Sequence, residues 1–121
     1  MKLILLIGTG SFFGGICRYL ISLAMQGKGL FPYGTLIVNI LGCFLIGLVF
    51  SLAAKLNFSN ETKLFLTTGF LGGFTTFSAF SNETFLLLKN AQYFSATAYV
   101  LCSVLIGLAA TFLGYWAVKN I

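Results

Sequence analysis

The sequence predicts an all-α membrane protein of four transmembrane helices, the third of them broken, and three observations carry that prediction. Only 7% of the 121 residues are charged and 59% are hydrophobic, against roughly 25% charged in a soluble domain. The mean hydropathy is +1.01, so a water-facing surface cannot be assembled from these side chains. Finally, the few charges fall between long apolar runs, and glycines gather in the middle of the third run.

The spans follow in order. Residues 3–25 are interrupted only by Arg18, residues 34–54 carry no charge, residues 64–88 contain one, Glu83, and residues 93–118 none. Each run reaches the roughly 20 residues that a helix needs to cross the hydrocarbon core. The connections, 26–33, 55–63 and 89–92, are short and hold most of the charges, Pro32 and several Asn. Residues 1–121 therefore read as a single transmembrane domain. Lys2 ahead of an apolar stretch also suits a signal peptide, but the stretch is long, Gly-rich and lacks a small-residue cleavage pattern, so the first span is expected to remain.

Several classes of function are excluded by what is missing. There is no His, the three cysteines (Cys17, Cys43, Cys102) lie singly in three spans, and Glu61 and Glu83 form no acid–base pair. Neither an enzyme nor a transition-metal site is expected. The net charge of +5 comes from lysines scattered at span ends, where they anchor helices at lipid headgroups. Membrane lipid, not nucleic acid, is the expected partner. Three Asn-x-Ser/Thr triplets, at Asn57, Asn60 and Asn82, are too short a pattern to imply modification.

Small residues then say how the helices associate. Gly10 and Gly14, and Gly69 and Gly73, form G-x-x-x-G; Ser11 with Gly15 and Ala110 with Gly114 form looser versions that allow close backbone approach. Between Thr67 and Ser81 the third span combines three glycines with several hydroxyls. Each glycine costs about 1 kcal/mol of helix propensity relative to Ala, so a break is expected there. Carbonyls freed at membrane depth need partners, which an ion or a neighbouring subunit would supply; a kinked, unliganded helix is the other reading.

Side-chain spacing adds a polarity. Phe77 and Phe80 share a helix face, with Ser81 and Thr84 beside it; Tyr99, Ser103, Gly107 and Thr111 follow at four-residue steps on the last span. Asn39 is alone in the second span and Arg18 in the first. An amide or ionisable group inside a span is a functional candidate, with helix-to-helix hydrogen bonding as the alternative. Hydroxyl and amide donors suit an anion, and aromatic edges carry partial positive charge that an anion can face.

Three blocks of sequence carry a resemblance: Gly14-Gly15-Ile16-Cys17-Arg18-Tyr19, Gly34-Thr35-Leu36-Ile37-Val38-Asn39-Ile40-Leu41-Gly42, and Gly69 through Glu83. In order and spacing they resemble the Fluc (CrcB) fluoride channel family. The resemblance implies a dual-topology, antiparallel homodimer in the plasma or bacterial inner membrane, passively exporting fluoride to relieve its toxicity. It further implies a structural sodium ion at the dimer interface held by backbone carbonyls of Gly72 and Thr75. On the same resemblance the fluoride pathway takes Asn39, Phe77, Phe80, Ser81, Thr84, Tyr99, Ser103 and Thr111, with Arg18 and Glu83 in structural or vestibule roles. Gly107 stands where the family pattern places another hydroxyl.

Two other classes have the right size. A small dual-topology exporter of cationic drugs needs an embedded carboxylate to hold its cargo, and a noncatalytic assembly subunit needs only Gly-mediated packing. Charge counting supports dual insertion: Lys2, Lys55, Lys63 and Lys119 lie on one side against Arg18, Lys28 and Lys89 on the other, a weak instruction for orientation.

Overall fold

Every residue from Met1 to Ile121 is described by the computed structural model, which is all helical. The elements are α1 (Lys2–Ala24), α2 (Tyr33–Lys55), α3 (Asn60–Leu64), a π-helical segment (Phe65–Leu71), α4 (Gly72–Phe74), α5 (Phe77–Lys89) and α6 (Tyr93–Lys119). From α3 to α5 they form one interrupted span, so four stretches are long and apolar enough to cross a membrane: Lys2–Ala24, Tyr33–Lys55, Asn60–Lys89 and Tyr93–Lys119.

The third span starts at Asn60, four residues before the apolar run does. Its cause is a polar cap: Ser59 Oγ accepts from the Thr62 N–H at 3.2 Å, satisfying a helix-end donor that hydropathy does not register. Glu61, expected in a loop, thereby lies in the first turn of α3, where the helix dipole favours a carboxylate. It pairs with Lys2 Nζ at 2.8 Å, placing the start of α1 and the start of α3 at the same end of the bundle.

Backbone-to-backbone packing follows the small residues. A Cβ on Gly10 would lie 2.8 Å from both the Phe65 carbonyl oxygen and the Phe70 nitrogen, one on Gly14 would overlap the Phe70 carbonyl, and one on Gly73 would overlap that of Ser11. These glycines let α1 lie directly on the π-helical segment, whose wider turn was not foreseen from sequence. Helices α2 and α6 pack just as closely: a Cβ on Gly47 would overlap the Thr111 carbonyl and one on Gly114 that of Phe44.

Two small cores result. Val38, Leu71 and Phe74 form one beside the helix break; Leu87, Ala96 and Tyr99 form the other, near the α5–α6 turn. Only 18 of 121 residues are buried, while Phe12, Phe50, Phe94 and Phe112 are each more than 60% exposed. Such an apolar exterior matches hydrocarbon as its solvent, with the polar backbone satisfied inside the helices.

Candidate functional site

The site grows from the interruption in the third span. Thr75 (φ −86°, ψ 157°) and Thr76 (φ −150°, ψ 124°) are extended, which ends α4 and starts α5. In a continuous helix the Thr76 N–H would reach the Gly72 carbonyl. Here it donates instead to Asn39 Oδ1 at 2.9 Å, while Asn39 Nδ2 donates to the Thr76 carbonyl at 3.0 Å. One side chain from α2 thus replaces both helical partners of Thr76, as a neighbouring strand would. The Thr76 hydroxyl caps α5 by accepting from the Ala79 N–H at 3.2 Å, and Thr75 Oγ1 turns back to the Leu71 carbonyl at 2.9 Å. Gly42 leaves the space that the Thr75 methyl group fills; a Cβ there would overlap it.

A cleft of about 450 Å³ opens at this break. Its wall brings together Asn39, Gly72, Thr75, Phe77, Phe80 and Ser103 among the residues expected from sequence, and adds Cys43 and Thr76. Ser103 Oγ is buried and has no hydrogen-bond partner in the chain. Asn39 Nδ2 spends one hydrogen on Thr76 and makes no further bond. The cleft therefore offers hydroxyl and amide donors with no carboxylate among its lining residues, an environment suited to a small anion.

An aromatic row leads away from it. Phe77, 79% exposed, packs on Phe80 with ring centroids 5.6 Å apart; Phe80 packs on Tyr99 at 5.1 Å, and Phe31 meets Tyr99 edge-on at 5.7 Å. Tyr99 is fully buried and its hydroxyl donates to Glu83 Oε2 at 2.7 Å. The other carboxylate oxygen, Glu83 Oε1, accepts from Thr35 Oγ1 at 2.7 Å. Each oxygen of this embedded acid thus accepts from a hydroxyl of a different helix.

Several expected residues stand elsewhere. Thr84 bonds back to the Phe80 carbonyl at 2.8 Å and faces a separate groove with Leu88, Thr97 and Val100. Ser81 is exposed on α5. The Thr111 hydroxyl returns to the Gly107 carbonyl at 3.2 Å, and Tyr99 spends its hydroxyl on Glu83, so the row on α6 is not a line of free donors. Arg18 has a buried Nε without a partner. The sequence reading missed Thr35, Thr76, Cys43 and Phe31; Thr35 and Cys43 flank Asn39 at four-residue steps on α2, a spacing that places all three on one face.

Fold and site together define a multi-pass helical membrane protein with a donor-lined cleft at a broken helix. The family follows from comparison: a model described as CrcB-like protein, Camphor Resistance (CrcB), matches residues 5–115. A protein named fluoride-specific ion channel FluC from Phocaeicola vulgatus is 46% identical over 118 residues, covering 96% of this chain and 98% of that one. Proteins of the same name from Geobacter sulfurreducens (46% over 125 residues, all of both chains) and Geobacter metallireducens (49% over 113 residues, 89% and 90%) are similarly close. The chain belongs to the CrcB-like family.

Proposed function

We propose that this protein is a fluoride-selective channel that lets the anion leave the cell down its gradient. The observation that carries this reading is the cleft at the break, where Asn39, Ser103, Phe77 and Phe80 meet without an acid, in a chain whose relatives are named for fluoride conduction. Fluoride is small and strongly hydrated, so a selective path must replace its water with closely spaced donors. The Asn39 amide and Ser103 hydroxyl supply them, and the edges of Phe77 and Phe80 present partial positive charge between them. Glu83, with both oxygens hydrogen-bonded, is poorly placed to hold a cationic drug, which argues against the exporter reading.

The working unit in this proposal is an antiparallel homodimer. Phe77 and Gly72 are exposed on the single chain, and a second copy related by a two-fold axis would enclose the cleft. The carbonyls of Gly72 and Thr75 suit a sodium ion at that interface: the Thr76 N–H that would occupy the Gly72 carbonyl is diverted to Asn39, and carbonyl oxygens are ligands for hard cations. Sodium there would neutralise facing dipoles and tie the two breaks together.

The test is efflux from liposomes holding the purified protein, followed with a fluoride electrode. Rapid fluoride release with little chloride movement is expected. Equal rates for both halides would remove selectivity, and no flux of either would leave the assembly-subunit reading.

A further inference from the structure

We infer that the thiol of Cys43 is a rung of the ion path, taking the place on α6 that Gly107 leaves without a side chain. The inference rests on reading the cleft as a fluoride path and adds a residue to it. Helices α2 and α6 run side by side in register: Gly107 faces Cys43, and four residues further along both helices Gly47 packs on Thr111. At the second level the contact is with the Thr111 backbone, whereas at the first Gly107 meets the Cys43 side chain itself. A Cβ built on Gly107 would stand 3.4 Å from Cys43 Sγ, so the sulfur lies in contact with the position from which a side chain at 107 would start.

The sulfur is also in the right company. Cys43 lines the cleft together with Asn39, one helical turn before it on α2, and Ser103, one turn before Gly107 on α6. The Ser103 hydroxyl is buried with no partner in the chain, and buried hydroxyls are normally hydrogen-bonded, so this wall of the cleft has a donor to offer to a group from outside the chain. A thiol is a weak donor with a polarisable sulfur. Lining the same cleft as an unpartnered hydroxyl, it extends the donors on α2 by one turn beyond Asn39, where an aliphatic side chain would end them.

The test uses the full-length protein in liposomes. In a Cys17→Ala/Cys102→Ala background, methyl methanethiosulfonate converts the remaining thiol to a methyl disulfide with loss of methanesulfinate, and fluoride efflux should stop. Cys43→Ala should lower fluoride flux about tenfold, the scale of one hydrogen bond to a charged group, without changing the elution volume of the purified protein. The deciding variant is Cys43→Ala/Gly107→Ser, which returns a hydroxyl to the same space from the opposite helix and should restore conduction. Full flux in Cys43→Ala, or a reagent-treated channel that still conducts, overturns the inference while leaving the fluoride reading intact. No rescue by the serine reduces Cys43 to a packing residue and overturns it equally. If the unsubstituted protein passes no fluoride, the reading of the cleft falls, and the role of Cys43 with it.

Discussion

Asn39 bridges the N–H and carbonyl of Thr76 with one amide, and in the proposed path it also faces the ion; substitution tests both roles. Leucine at this position keeps the branching at Cγ but leaves the Thr76 N–H and carbonyl without partners, each worth about 1–3 kcal/mol when buried. Asn39→Leu is therefore expected to lower the unfolding temperature in detergent as well as abolish fluoride flux. Aspartate retains the acceptor for the Thr76 N–H, loses the donor to its carbonyl, and faces the path with negative charge; Asn39→Asp should be the more stable of the two and equally silent. An Asn39→Leu protein as stable as the parent would show that the bridge to Thr76 contributes nothing. The two phenylalanines divide differently. Phe77 is mostly exposed whereas Phe80 lies between it and Tyr99, so Phe77→Leu should leave stability within about 1 kcal/mol and Phe80→Leu should lower it by about 1 kcal/mol or more. Both should reduce fluoride efflux steeply if ring edges face the ion; unchanged flux in both variants would contradict the pathway.

Among the helices, glycines with and without neighbours make a matched experiment. Nothing lies within 4 Å of a Cβ at Gly8, whereas one at Gly14 would overlap the backbone of the π-helical segment. Gly8→Ala should be neutral or stabilise by up to about 1 kcal/mol through helix propensity. Gly14→Ala should destabilise by about 1–3 kcal/mol or more, because the obstacle is backbone and cannot rotate away; thermal unfolding of the two variants in detergent reads the difference, and equal midpoints would show that α1 does not pack there. The sequence disclosed this contact through its G-x-x-x-G spacing, and it disclosed the break through the glycine and hydroxyl cluster between Thr67 and Ser81. It could not disclose the π-helical turn, which depends on how α1 lies against Phe65 and Phe70. Nor could it reveal that Tyr99 spends its hydroxyl on Glu83, since that bond joins α5 to α6 across sixteen positions. Spacing along one helix finds a face; what that face meets is decided by another helix.

At the scale of the whole molecule the open quantity is orientation. The Lys2–Glu61 pair puts the amino terminus and the start of α3 at one end, as the alternation of four spans requires. Four Lys therefore stand at that end against three basic residues toward the other, one of them the half-buried Arg18. Orientation follows such biases in short loops, and a difference this small permits insertion both ways. Two lysines added between Gln26 and Tyr33 should fix one orientation and silence the protein expressed alone; co-expression with an oppositely biased variant should restore flux. Reporter fusions at Ile121 that find a single orientation for the unmodified protein would rule out the antiparallel pair. Replacing sodium on both sides by a large organic cation should loosen the dimer and depress efflux, and unchanged values of both would argue against the carbonyl site.

The link between Asn39 and Thr76 bears on how the protein is made. The Thr76 N–H and carbonyl at the break would be costly in lipid if they had to wait for a second chain to satisfy them. Because their partner, Asn39, is carried on α2, which is synthesised earlier than the third span, the interruption can be closed as soon as that span enters the bilayer. In the proposed antiparallel pair, a newborn subunit could then drift singly until it meets a copy facing the opposite way, and the rate of that encounter, set by expression level and membrane area, would govern how quickly working pairs accumulate.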